Sequence, residues 1–420
     1  MEAQKGSLKS TIAVSLTNYL DAGAIVAGAS GLSLWQDYLH LTGNDLAWLN
    51  ALSANCFGAA LGAIIGGRLA DKYGRKTIYT YNMLIYMLGV GIIMFAVNFP
   101  MLVAGFLITG ISVGVGVPAS WTYISETSEI GNRARNIGIS QFAWSIGPAI
   151  IFILGAALAP LGLLGNRIIF GTLFVVAFIA WILQRQLNES KAWEESKLQQ
   201  VQKQEHPYKA LFTNIINIKT ILYLIGIYLT WNFVAGAMGF FMPYVFETSG
   251  GISGQYANIL NVVQWLLIAL VTLLGFARLG DKVNQRGLYI FGTILGVLAW
   301  IVLTVIGVSS KTALWGFVIL WGVHAGFGVQ AFYALWASEL FPAKYRAAAQ
   351  GVMFFIVRGG AAIWSFVFVY IYEVLGFTTA GYVMIGLLTF ALIVGALNAP
   401  KTQGKTLEQI TKERYGDDAN

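Results

Sequence analysis

The sequence predicts an all-α membrane protein, twelve transmembrane helices arranged as two pseudo-symmetric six-helix bundles. Three observations predict it. Of the 420 residues, 57% are hydrophobic and only 11% charged, whereas soluble domains carry about a quarter charged. Twelve segments reach the roughly 20 apolar residues that cross a hydrocarbon core. And a polar turn, Gly67-Arg68-Leu69-Ala70-Asp71-Lys72-Tyr73-Gly74-Arg75-Lys76, is echoed by Ala277-Arg278-Leu279-Gly280-Asp281-Lys282, placing Asp71 and Asp281 210 positions apart, half the chain.

Taken in order, the apolar segments are 11–35, 46–66, 77–97, 101–123, 137–159 and 167–184, then 218–246, 255–276, 288–308, 313–337, 348–372 and 379–397. The first is read as a retained helix, because no small-residue cleavage site follows it. Most connections are short, and Asn98-Phe99-Pro100 is the clearest tight turn. The exception is 185–217, polar and charged, with Lys191, Glu194, Glu195, Lys197, Lys203 and Lys209. The chain thus divides into an N-terminal bundle (1–184), a cytoplasmic linker with short helices (185–217), a C-terminal bundle (218–397) and a cytoplasmic tail (398–420). A second pair of signals supports duplication: Glu126 and Arg133 are seven apart, as are Glu339 and Arg346, at an offset of 213.

Orientation follows from the basic residues, which favour the cytoplasmic face. The side holding the N-terminus carries 22 of the 26 Lys and Arg. Both termini and the linker are therefore expected in the cytoplasm, with the protein in the plasma (inner) membrane. The net charge of +7 is dispersed between apolar spans, with no basic patch that would suit nucleic acid. Cys56 is the single cysteine, so an intramolecular disulfide is excluded. Repeated halves enclosing a substrate site are a transporter architecture.

The turn at 67–76 resembles the loop signature of the major facilitator superfamily, G-x-x-x-D-x-x-G-R-[RK]. Gly110-Ile111-x-x-Gly114, then Tyr123-x-x-Glu126 and Arg133, resembles the signature of its sugar-porter family. Ser338-Glu339-Leu340-Phe341-Pro342 with Arg346 is similar to the second-half E-x-F-P…R motif. Pro400-Lys401-Thr402-Gln403-Gly404-Lys405-Thr406-Leu407-Glu408-Gln409 is similar to the family's ending. The resemblance covers the whole chain and implies a secondary transporter. It would move a sugar or sugar-like polar metabolite, a sugar acid included, by alternating access and proton symport. The alternatives are a facilitative uniporter, an exchanger of an organic anion, or a non-transporting receptor on the same scaffold. Departures fall at the sugar site. The fourth-span Arg of sugar porters is absent near Phe106, the Pro before Y-x-x-E is Trp121, and the seventh-span glutamines are replaced by Thr230 and Trp231.

Placed on this topology, Asp21 is the one carboxylate and Arg358 the one cation expected inside the membrane. By helical rise they stand roughly 15 Å beyond Thr11 and roughly 18 Å beyond Arg346, both near mid-membrane, where an ionised group needs water or a partner. Asp21 is expected to carry the coupled proton, and the resemblance matches it to the first-span Asp of proton-coupled sugar porters; the alternative is helix packing. Arg358 suits a carboxylate or phosphate on the substrate, or serves as counter-ion to Asp21. Gln141, similar to the fifth-span Gln of sugar porters, is expected to bond substrate hydroxyls. Asn232, Asn261, Gln264, Gln330 and Tyr333 are further substrate candidates, and His324 could titrate. Asp71, Arg75, Glu126, Arg133, Asp281, Glu339 and Arg346 read as a cytoplasmic gate bridging the halves. Gly58, Gly62 and Gly66 admit a closely packed helix.

Other classes find little support. Gly404-Lys405-Thr406 lacks the Gly and the preceding strand of a phosphate loop. No metal-ligand spacing or nucleophile elbow appears, so neither enzyme, cofactor nor metal is expected. No repeated filter loop suggests a channel. The expected partners are a small-molecule substrate, protons and the lipid bilayer, with the chain a monomer.

Overall fold

The computed structural model describes residues 2–42, 45, 48–49, 52–54, 56–203 and 211–416. Part of the 46–66 segment, Lys209 with the linker stretch 204–210, and the tail end 417–420 lie outside the described residues. The first half comprises α1 (Glu2–Leu39), α2 (Phe57–Tyr73), α3 (Arg75–Met94), α4 (Phe99–Thr127), α5 (Arg133–Leu158) and α6 (Leu163–Gln184). After linker helix α7 (Lys191–Lys203) come α8 (Ile215–Thr248), α9 (Gly254–Val271), α10 (Gln285–Ile306), α11 (Lys311–Gly326), α12 (Val329–Glu339), α13 (Arg346–Asn398) and tail helix α14 (Leu407–Tyr415). Among the described residues ten helical stretches are long and apolar enough to cross a membrane. Two facts reconcile ten with twelve. Helix α2 is only 17 residues long, and α13 holds two segments joined at Gly376, whose φ of 83° breaks the helix.

Local chemistry sets the ends. Asn98 accepts a hydrogen bond from the Met101 N–H at 3.0 Å and starts α4, with Pro100 in its first turn, where a missing N–H costs nothing. Ser253 and Ser310 cap α9 and α11 the same way, and Thr406 with Gln409 forms a capping box on α14.

The expected turn at 67–76 is corrected: α2 runs on to Tyr73, and the chain reverses at Gly74 alone. Gly74 has φ 101°, a conformation that glycine adopts without steric cost. Hydropathy marks where the apolar slab ends, whereas the helix continues because the exposed Lys72 is a sound helix former. The linker docks onto this turn. Glu189 accepts from the backbone N–H of Arg75 and Lys76 at 3.1 Å each, and Trp193 Nε1 donates to the Asp71 carbonyl at 2.7 Å.

The glycine row of α2 meets α4 of its own half. A Cβ on Gly62 would overlap the Ile111 carbonyl, one on Gly66 would overlap Val115, and one on Gly114 would overlap the Ala59 carbonyl. On the opposite face Gly67 lies against Ala347 and Gly351 of α13, in the other half. The α2 backbone is therefore pressed between the two halves. Gly62→Ala and Gly114→Ala should each lower stability by about 1–3 kcal/mol through overpacking, read as a fall in unfolding temperature in detergent. Gly91→Ala, with open space around it, should leave that temperature unchanged. Equal temperatures for all three would contradict the close approach.

Candidate functional site

Between the halves lies a void made of two adjoining chambers, whose empty space, open solvent included, is about 590 and 580 Å³. Both chambers are lined by Trp144 of α5, Trp231 of α8, Trp265 of α9 and Gln330 of α12. Asn232, Tyr228 and Arg358 add to the first, and Gln141, Asn261 and Gln264 to the second. The two helix segments that support this region are irregular. Gly326-Phe327-Gly328 separates α11 from α12 beside Gln330, and α9 takes a π-helical turn over Thr272–Phe276. Non-helical backbone at this depth is tolerated where it is buried in protein or lines a cavity.

Asp21, buried in α1, stands against Arg358 of α13, with Oδ2 accepting from Nη2 at 3.5 Å. The same oxygen accepts from Trp144 Nε1 at 3.0 Å. The Arg358 guanidinium also lies over the Phe354 ring, 4.8 Å from its centroid. The two residues expected as lone charges thus meet as an ion pair joining one half to the other.

The amide candidates are also brought together. Gln330 Nε2 donates to Gln141 Oε1 at 2.9 Å, again between halves. Asn261 spends a donor on the Ala257 carbonyl of its own helix. Tyr333, by contrast, lies one layer back. It borders neither chamber and is stacked on Tyr228, rings 3.9 Å apart and 8° from parallel. His324 is fully buried, with Nε2 accepting from Trp231 Nε1 at 3.0 Å and Nδ1 2.7 Å from the Gly292 carbonyl. That pattern assigns a neutral ring with its proton on Nδ1. Of the residues that stand where sugar porters have glutamines, Trp231 faces the void and Thr230 returns its hydroxyl to the Gly226 carbonyl.

At the side bearing the termini, the seven gate candidates form two clusters, Asp71, Arg75, Glu126 and Arg346 in one and Arg133, Glu339 and Asp281 in the other. Glu126 Oε1 accepts from Arg75 at 3.1 Å within its half and from Arg346 at 2.7 Å across halves. Glu339 Oε1 accepts from Arg133 at 2.9 Å across halves. Asp71 pairs with Arg75 of its own half at 3.0 Å, but across the halves both aspartates meet backbone donors instead of arginines. Asp71 accepts from the backbone N–H of Ala347 and Ala348 at the start of α13. Asp281 accepts from those of Ala134 and Arg135 at the start of α5. Each thus satisfies orphan donors of a helix in the other half and complements its dipole. Burial raises the Asp281 carboxyl above the usual carboxylate range, and those two N–H groups pull it back.

Trp144, Trp265 and Tyr228 are the lining residues that sequence reasoning missed. The one available signal was their place in spans that also carry candidate amides. No group of His, Cys, Asp and Glu suited to a metal occurs among the described residues.

Comparison with known proteins gives the family. A model of the Major Facilitator Superfamily matches residues 11–365. The chain is 44% identical over 416 residues to the minor myo-inositol transporter IolF of Bacillus subtilis (strain 168), covering 97% of this chain and 94% of that one. It is 23% identical to the glucose transporter GlcP of Staphylococcus epidermidis (strain ATCC 12228 / FDA PCI 1200), covering 86% and 87%. The solved structure of the proton:xylose symporter XylE bound to 6-bromo-6-deoxy-D-glucose superposes with TM-score 0.82 at 18% identity, covering 97% and 98%, a likeness of fold. With a superfamily model spanning most of its length and a relative matched nearly end to end, the chain belongs to the Major Facilitator Superfamily and is a multi-pass transporter of the sugar-like class.

Proposed function

We propose that this protein carries a neutral cyclic polyol of the inositol type across the membrane, together with a proton. The observation that carries the reading is the void between the halves, walled by indoles and amides, whose Arg358 charge is answered by Asp21. Aromatic faces with amides suit a ring bearing hydroxyls. The 44% relative is a myo-inositol transporter, which supports the same substrate class.

In the proposed cycle the halves, 1–184 and 218–397, rock about the central site while 185–217 and 398–420 stay in the cytoplasm. The monomer, in the inner membrane, is the working unit and needs no cofactor. The contacts at the terminus side form the cytoplasmic gate, which is closed in this conformation: Glu126 and Glu339 hold arginines of the opposite half. A proton entering at Asp21 weakens the pull on Arg358 and frees its donors for substrate hydroxyls. Gln141, Gln330, Asn232 and Gln264 supply the remaining polar contacts. A hydroxylated substrate brings no charge to couple, so the titrating carboxylate supplies the stoichiometry.

Reconstituted protein should accumulate myo-inositol in vesicles whose interior is alkaline, without ATP. Asp21→Asn, held neutral, should lose accumulation and reach only the equilibrium ratio, while substrate exchange persists. Uphill accumulation by Asp21→Asn would remove Asp21 from the coupling role. Absence of any pH-gradient dependence in the unmodified protein would make it a uniporter.

The ion pair itself is testable by a double-mutant cycle. Removing one partner strands a buried charge, at about 3–5 kcal/mol. Arg358→Gln should therefore destabilise strongly, and Asp21→Asn added to it should recover about 1–3 kcal/mol of that loss, measured by thermal unfolding in detergent. Additive losses would mean that the two residues do not sense each other.

A further inference from the structure

Trp144 takes part in two arrangements that no other described residue joins. Its ring borders both chambers of the void, facing Trp265 of the other half with ring centroids 5.4 Å apart. The two indoles stand together where the chambers adjoin, beside Trp231 and Gln330, which also border both. The indole N–H of Trp144, on its other edge, is spent on Asp21 Oδ2 at 3.0 Å. The second carboxylate oxygen, Oδ1, is buried with no hydrogen-bond partner, and so has room for a proton.

The helix around Trp144 is built to let that side chain shift while its base stays fixed. Pro148 lies inside α5, four residues on. It has no N–H to give to the Trp144 carbonyl, so the helix is weakened at that turn. One residue before Pro148, Gly147 lies directly against the Tyr19 carbonyl of α1, where a Cβ would overlap it. The α5 backbone is thereby seated on α1 beside Asp21, and motion is left to the indole.

We propose that Trp144 is the positioning residue that links occupancy of the central site to the proton on Asp21. A substrate ring entering between the two tryptophans turns the Trp144 indole and removes its N–H from Asp21 Oδ2. An ionised carboxylate that loses a donor binds a proton more readily, so substrate entry favours proton uptake, and by linkage a bound proton favours substrate. The proton comes from water and joins a carboxylate oxygen; it leaves to water after the halves reopen.

The other groups around Asp21 reach at most the first chamber. Arg358 of α13 is the charged group against it, and Tyr86 of α3, Tyr228 of α8 and Tyr19 of α1 are the titratable groups nearby. Tyr86 is committed to the Leu20 carbonyl at 2.9 Å. The helices packed on α1 carry their charges at their ends: Glu126 on α4, Arg133 and Arg135 on α5, Arg167 on α6. Among the described residues, Trp144 alone bonds the carboxylate and borders both chambers.

The inference rests on the proton-coupled reading above, and the test separates the two. Binding of myo-inositol to the purified full-length protein is measured from pH 5 to pH 10. Trp144→Phe keeps an aromatic ring but lacks the donor; the pH midpoint of its binding should move about one unit alkaline relative to the unmodified protein. Trp265→Phe, which faces the same void without touching Asp21, should weaken binding several-fold and leave the midpoint in place. Where Trp144→Phe does not fold, the donor-free Trp144→Leu takes its place with the same expected shift. An unmoved midpoint in both Trp144 variants overturns the inference while the coupled reading stands, and so does an equal shift in Trp265→Phe. Binding by the unmodified protein that is independent of pH overturns both.

Discussion

Glu126 and Glu339 are the pivots of the inter-half contact at the terminus side. Each is a buried carboxylate holding an arginine of the opposite half, Arg346 at 2.7 Å and Arg133 at 2.9 Å. Buried charges of this kind are costly unless they are paired, so the arrangement is stable only while the halves stay together at this end. Around the pivots the duplication becomes a pattern of contacts. Asp71 binds the start of α13 and Asp281 the start of α5, so each half finishes a helix of the other. Ser125 and Ser338, 213 positions apart, meet directly, with Ser125 donating to the Ser338 carbonyl at 3.3 Å. These contacts join the halves at one end, and the indole-lined void lies in the middle.

In the middle, Asp21 and Arg358 join the halves at 3.5 Å and Gln141 and Gln330 at 2.9 Å. Asp21 Oδ1 and Gln141 Nε2 have no hydrogen-bond partner. Buried polar groups are rarely left this way in native structures, and these two lie at or beside the void. Under the proposed reading, substrate hydroxyls complete them.

Much of the fold was legible because the membrane constrains sequence more tightly than water does. A segment that crosses it must be apolar over a fixed length, and the half-length repeat of Asp71 and Asp281 gave the duplication directly. Helix ends were less legible. The charged stretch after Gly66 reads as a turn, yet α2 continues to Tyr73, because leaving the slab does not itself end a helix. The pairing of Asp21 with Arg358 was open to reasoning, since helical rise puts both at similar depth. That Trp144 would share Asp21 was not, because which face of a helix meets a neighbour depends on packing. Trp144 and Trp265 look like any other aromatic residues in apolar spans, and the 13 tryptophans of the chain offered no reason to select them. Tyr333 shows the converse: its polar group suggested a site, and its ring is used in stacking instead.

The central claim is that the paired carboxylates hold the terminus side shut in a carrier whose halves move. A distance measurement across that side tests it most directly. Cys56, the sole and buried cysteine, is replaced by Ala. Spin labels are then placed at the exposed positions Glu129 and Arg286, one on each half. With Glu126 and Glu339 intact and no substrate present, the account predicts one short-distance population. With both changed to Gln, it predicts a second, longer population in the same sample. An unchanged distance distribution in the doubly substituted protein, with its fold intact, would contradict the account.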